Sequence, residues 1–351
     1  MNDTTALPGT EEITIPGVTV ISLGDFLSRD FPPRENILAP WLKSQSLSMM
    51  YSWRGTGKTF FALEIAYAVA SGGSFLGWAA PKPRGVLYID GEMPGVTLQE
   101  RLARIVASSQ QEADPDMLRI VTPDLQDVGV PNLADPEGQR QIDRAIDDNV
   151  ELIIMDNISC LVRGGGKEND AESWLSVQEW TLRLRSRGKS VLFIHHAGKG
   201  GAQRGTSKRE DVLDTVILLK RPSNYAQSEG CSVQVHYEKA RGLTGLDVEP
   251  VEARLITEAN GTRRWEWSIA ENALPDVVRE LVELGLSRKE IICELKSDYG
   301  KSTATAYRLT EDFFPAKGEK TREKTVRNPE KTVRKPVRKH ENFLPGEQEL
   351  S

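Results

Sequence analysis

Histidine and cysteine are scarce in this chain, at four and three of 351 residues, and neither type is grouped. Cys160, Cys231 and Cys293 stand far apart, without the paired spacing of a thiolate metal site or a disulfide framework. His195 and His196 are adjacent, but His236 and His340 lack the spacing that would complete a metal motif. A long apolar run is also missing. The longest, "FFALEIAYAVA", is interrupted by Glu64 and is too short to span a bilayer. The amino end shows no basic segment followed by an apolar stretch, so no secretory leader is expected. These absences favour a reduced, cytoplasmic setting with no membrane partner.

An excess of one charge looks absent too, since the net charge is only −6. That figure hides a separation. Between Ala316 and His340 ten Lys or Arg stand against three Glu, so this stretch carries +7 and the rest of the chain −13. A basic tail of this kind suits phosphate backbones, whatever the overall charge.

What is present is a repeated alternation of apolar runs and helical patterns. Residues 1–35, rich in Pro, Gly, Thr and acid, read as a flexible arm. Over residues 36–270 the strand-like runs "LSMMYS", "GVLYID", "LRIVT", "VELIIMD" and "SVLFIHH" are separated by helical stretches such as "KTFFALEIAYAVASGG" and "TLQERLARIVASS". That order implies an α/β domain with a mainly parallel sheet covered on both faces. "DTVILL", "SVQVHYEKA" and "RRWEWS" follow without helices between them and read as antiparallel additions at the sheet edge. Residues 275–314 change to short helices, and 315–351 form a basic, low-complexity tail expected to be disordered.

The stretch "YSWRGTGKTF" matches the phosphate-binding pattern G-x-x-x-x-G-K-[ST], except that Ser52 stands at the first glycine. A strand leads into it and an amphipathic helix is expected to start at Lys58, where a helix end would present amides to an anion. Residues Arg54, Gly55, Thr56, Gly57, Lys58, Thr59 and Phe60 are thus candidates for ATP binding, with Lys58 on the β- and γ-phosphates and Thr59 on Mg²⁺. A small Ser52 can occupy the turn out of the strand with modest strain. Three further candidates end neighbouring strands, where ligands bind in such sheets. Asp156 closes "LIIMD" and suits the Mg²⁺ shell, though a strand-end Asp also caps turns. Glu92 in "DGEMP" is placed to orient the attacking water, or is an exposed loop acid. His195 or His196 could report the γ-phosphate to the loop that follows.

Together, "GTGKT", "YIDGEMP", "LIIMDN", "IHHAGKGGAQRGTS" and "VHYEKARGLTG", in this order, resemble the RecA-like ATPases, in particular plasmid replication helicases of the RepA type and, more distantly, DnaB-type helicases. The resemblance implies a RecA-like P-loop NTPase fold, with Glu92 as catalytic carboxylate, Asp156 as the Walker B acid and His196 as sensor. It also implies a ring, six protomers in the family, in which a basic residue of one subunit completes the next subunit's site. Arg204, Lys239 and Arg241 match the family's candidates for that role, and the three stay open.

Behind this domain, "LSRKEIICELKSDYGKSTATAYRL" reads as a helix-turn-helix. Ser287 with Glu290 forms a capping box, and Ser302 caps a second helix that would place Lys301, Ser302, Thr303, Thr305 and Arg308 against duplex DNA. A small helical docking module would show the same pattern. The reading as a whole is a DNA-associated, ring-forming ATPase, a replicative helicase of a plasmid or mobile element with single-stranded DNA in the ring. The alternative is an ATP-gated DNA-binding regulator or loader without unwinding. A small-molecule kinase would leave the paired histidines and "EKARG" unused.

Overall fold

A computed structural model of the chain describes residues 14–15, 17–164, 169–197, 211–222, 225, 230–259, 261–270, 273–297, 299 and 301–314. Arg204, the basic tail, and residues 1–13 and 16 of the expected arm lie outside these. The amino end forms the pair β1 (Thr14–Ile15) and β2 (Val18–Thr19), then α1 (Leu23–Ser28), capped by Ser22. A second pair, β3 (Asn36–Leu38) and β4 (Leu42–Lys43), leads into β5 (Leu47–Ser52), followed by α2 (Lys58–Ser71). The hairpin β6 (Ser74–Phe75) and β7 (Trp78–Ala79) precedes β8 (Gly85–Asp90), α3 (Gly95–Ser108), β9 (Leu118–Val121) and α4 (Pro136–Asp143). Next come β10 (Val150–Asp156), α5 (Ile158–Leu161), α6 (Asn169–Ser186) and β11 (Ser190–His196). Four strands follow in succession, β12 (Thr215–Lys220), β13 (Ser232–Ala240), β14 (Val251–Thr257) and β15 (Arg263–Ile269). The helices α7 (Leu274–Glu283), α8 (Arg288–Ser297) and α9 (Thr303–Glu311) come last.

Nine strands make one sheet in the order β15-β14-β13-β12-β5-β11-β10-β8-β9. From β9 to β12 every pair is parallel, and from β12 to β15 every pair is antiparallel. Two details differ from the sequence reading. β12, expected among the antiparallel additions, pairs parallel to β5, with Thr215 opposite Ser48 and Leu219 opposite Ser52. β14, which the pattern did not single out, pairs with both β13 and β15. Its charges, half-buried Glu252 and exposed Arg254, break the apolar run by which buried strands are recognised.

Apart from the edge strand β9, the parallel strands are buried on both faces, so their side chains alternate between two cores. Met50, Leu152, Ile154, Leu192 and Ile217 face α2 and α3, while Met49, Ile153, Met155, Phe193 and Val216 face α6 through Trp174, Val177 and Trp180. α2 was expected to be amphipathic; instead eleven of its fourteen residues are buried. The cause is a second cover. β15 and the β6–β7 hairpin fold over its outer side, with Trp265 edge-on to Phe61 at 4.9 Å and to Phe75 at 5.6 Å. A helix enclosed on every side carries no polar stripe. Gly72, left-handed at φ 69, ends it.

The last three helices share this core. Val277, Val278, Leu281, Ile291, Leu295 and Ala306 belong to the same apolar cluster as α2 and the sheet. Ser287 and Glu290 bond reciprocally at the start of α8, and Ser302 Oγ accepts from Thr305 N at 3.2 Å at the start of α9.

Candidate functional site

The glycine loop leaves β5 at Ser52 and turns through Gly55 (φ 72) and Gly57 (φ 109) into α2. Both values are left-handed, which a side chain at either position would resist. Ser52 itself is fully buried as the last residue of β5, so it takes the first glycine's place as part of the strand. The loop opens onto a cleft of about 980 Å³ that Asp90, Glu92, Asp156, His196 and Arg101 also line. The sheet order explains this convergence: β5, β11, β10 and β8 are neighbours and parallel, so their carboxyl ends meet along one edge.

Lys58 is buried, and its Nζ donates to Ser52 O at 3.2 Å and Trp53 O at 3.0 Å. Burial pushes its pKa down to about 8, against the pull of Asp156 and Glu92. Asp156 accepts from Tyr88 Oη at 2.7 Å and from the Thr59 hydroxyl, and burial raises its pKa while those bonds and Lys58 oppose the rise. Asp90, which accepts from Met93 N at 2.8 Å, is pushed up to about 6, chiefly by burial. Glu92 Oε2 accepts from Asn157 Nδ2 at 2.6 Å, with Cys160 Sγ at 3.8 Å.

The arrangement has the parts an ATPase site needs. Anion-facing backbone, an ammonium and a helix start lie on one wall. On the other, a carboxylate held in place by an amide is positioned to take a proton from water. Thr59 and Asp156 fit the magnesium of a nucleotide complex, since a hydroxyl and a carboxylate in contact offer two hard oxygens of the partial shell Mg²⁺ takes beside phosphates. Among the described residues no three His, Cys, Asp or Glu side chains group as a metal site of their own.

Of the residues expected from the sequence, Arg54, Gly55, Gly57, Lys58, Thr59, Phe60, Glu92, Asp156 and His196 line this one cleft. Thr56 is buried behind the loop, and His195 is buried, while His196 is half-buried. Lys239 and Arg241 are elsewhere. Ala240 pairs with Thr215, which pairs with Ser48, so both cations sit at the amino end of the parallel strands. Cys231, which touches the glycine loop, precedes the other end of β13, so the two cations are roughly 25–30 Å from their own loop. Arg241 Nη2 donates there to Asp211 O at 3.1 Å. Among the helical candidates, Thr303 and Arg308 are exposed. Ser302 serves as cap, with Thr305 Oγ1 within 3.0 Å of its hydroxyl. Lys301 Nζ is taken by Ser268 Oγ at 3.3 Å and Ile269 O at 3.1 Å, which ties α9 to β15.

Sequence reasoning missed Tyr88, Asn157 and Arg101. A tyrosine in the buried run "VLYID" needs a partner for its hydroxyl, which is a usable signal. Arg101 enters the cleft from α3 with its guanidinium 4.4 Å from the Phe60 ring centre, a contact that no spacing in the sequence announces.

Residues 17–202, more than half of the chain, match the AAA domain family. Among solved structures, a KaiC-like protein from the hyperthermophilic archaeon Pyrococcus horikoshii aligns at 16% identity with a TM-score of 0.46, over 66% of this chain and 93% of that one.

Proposed function

Because this chain belongs to the AAA domain family, and so carries an ATPase domain, we propose that it is a DNA-associated motor whose ATP sites are completed between copies arranged head to tail. The observation that carries this reading is the separation of the cleft from Lys239 and Arg241. Hydrolysis spreads negative charge over the γ-phosphoryl group, and a cation beside it stabilises that charge. Two cations at the opposite end of the sheet are out of reach of their own cleft and are presented to a neighbour.

Within one copy, placement supports the following roles. The loop amides and Lys58 hold the phosphates, while Thr59 and Asp156 hold the metal that neutralises them. Glu92, oriented by Asn157, takes the proton of the attacking water, and His196 senses the γ-phosphate at the end of β11. Exposed Thr303 and Arg308 on α9, with the basic stretch beyond residue 315, support a DNA partner. A replicative helicase of the RepA type is the specific form proposed, with a hexameric ring, magnesium and a cytoplasmic setting. The second reading, a DNA-binding regulator or loader, is favoured by how firmly α7–α9 join the ATPase core.

The test is ATP turnover with and without single-stranded DNA, run beside mass measurement of the ATP-bound species. The expected result is DNA-stimulated turnover and a mass several times 39.0 kDa. A monomer with ATP whose rate ignores DNA would overturn the motor. A ring that hydrolyses ATP but displaces no strand would leave the regulator.

A further inference from the structure

Two side chains that the ATPase reading does not use bond to the backbone of the glycine loop: Arg221, and Cys231, which also lines the cleft. Arg221, the residue after β12, donates from Nη2 to Gly55 O at 3.1 Å, and its guanidinium lies 4.7 Å from the Tyr225 ring centre. Cys231, the residue before β13, donates from Sγ to Thr56 O at 3.7 Å. The same sulfur is 2.5 Å from where a Cβ on Gly57 would stand, and Arg221 Nη2 is 3.5 Å from where one on Gly55 would stand. Two consecutive carbonyls of the loop are thus held by the adjoining ends of two neighbouring strands.

A peptide unit is planar and trans, so its C=O and N–H point in opposite directions. The carbonyl of Gly55 shares its plane with the amide of Thr56, and the carbonyl of Thr56 shares its plane with the amide of Gly57. Glycine rotates freely about φ and ψ, so the loop alone does not fix these planes. Holding both carbonyls fixes the direction of the two amides that share their planes. The Cys231 thiol is suited to the task because burial pushes its pKa up to about 11, which keeps the S–H proton in place as a donor.

We propose that Arg221 and Cys231 are positioning residues, a clasp that fixes two loop peptide planes and so aims the Thr56 and Gly57 amides at the phosphates of the bound nucleotide. The proposal rests on the reading of this loop as the phosphate site. It adds that the loop's anion geometry is set by Arg221 and Cys231, which flank β12 and β13, and not by the loop's own residues.

The experiment measures binding of ADP and of inorganic pyrophosphate to the full chain, with melting temperature as a fold check. Wild type and Lys58→Ala serve as references. Arg221→Ala and Cys231→Val, which keeps volume without a donor, should weaken both ligands by the same factor of about 10, the scale of one misplaced hydrogen bond. Cys231→Ser and Arg221→Lys keep a donor and should stay within about threefold of wild type. Because both conservative variants retain the packing, they separate lost positioning from lost folding. Unchanged binding in Arg221→Ala and Cys231→Val overturns the clasp, as does weakened ADP with unchanged pyrophosphate, which would place the effect on the nucleoside. If wild type itself binds neither ligand, the phosphate-site reading fails instead.

Discussion

Lys58 is the residue in which burial and function oppose each other most directly. Its pKa is lowered to about 8 by burial, yet anionic phosphates require the ammonium. Below pH 8 the ammonium is already present. Above it, nucleotide binding must take up a proton, and affinity should fall as pH rises further. Calorimetry in two buffers of different ionisation heat should therefore show uptake approaching one proton at pH 9, little at pH 7, and none in Lys58→Met. Glu92→Gln keeps an oxygen for Asn157 Nδ2 to bond but removes the proton acceptor. Turnover should drop by about 10²–10⁴ while ADP binding is retained, and unimpaired turnover would remove Glu92 from the role of base. At this scale the sequence was most informative about residues with fixed spacing, such as Gly55, Gly57, Lys58 and Thr59. Tyr88 reaches Asp156, and Asn157 reaches Glu92, through pairings between strands. Such contacts depend on register, which a single sequence does not print.

Elements were legible by period, and the misreadings have one physical source: cover supplied from far along the chain. α2 lost its expected polar stripe because β15, two hundred residues later, lies across it, with Trp265 Nε1 donating to Glu64 Oε1 at 2.8 Å. Glu64 is the one acid in the run that the strand encloses, and burial pushes its pKa up to about 7. A raised folded-state value means that the stability associated with this group is fully present below the ordinary value of 4.5 and is lost as pH rises through 7. Glu64→Gln can still accept from Trp265 and has no proton to lose. The variant should match wild type at pH 4.5 and exceed it by about 3 kcal/mol at pH 8, read from urea midpoints. Equal midpoints at pH 8 would show that the carboxyl stays solvated. β12 was misassigned for a related reason: the run "DTVILL" identifies a buried strand, but its direction is set by the bond partners Leu47 to Ser52 on β5.

At the scale of the whole molecule, the expected boundary near residue 270 separates two sequence patterns that share one core, since α7–α9 pack with α2 and the sheet. Composition marks the change to short helices but not the docking. The proposed head-to-tail arrangement makes a prediction that no single copy can fulfil. Lys239→Ala or Arg241→Ala alone should bind ATP and hydrolyse it poorly. Mixed with Lys58→Ala, whose cations are intact, either should regain part of its turnover. Absence of rescue in a mixture shown to co-assemble would place those cations outside the site. Removing residues 316–351 should weaken DNA binding most at low salt and spare basal turnover, because the tail's ten basic residues act by releasing counterions.

On the proposed arrangement, β13 would serve a neighbour at one end and its own copy at the other. Nine residues of extended chain, roughly 30 Å, separate the thiol bonded to the loop from Lys239 and Arg241. β13 is bonded to a neighbour along its length, to β14 over Ser232–Val235 and to β12 over Gln234–Ala240, and an extended strand hardly stretches, so on the proposed arrangement a shift of the loop on phosphate release would pass along it as a displacement of Lys239 and Arg241. In a closed ring each copy would then learn of its neighbour's hydrolysis by a push along one strand, without any rearrangement of the fold.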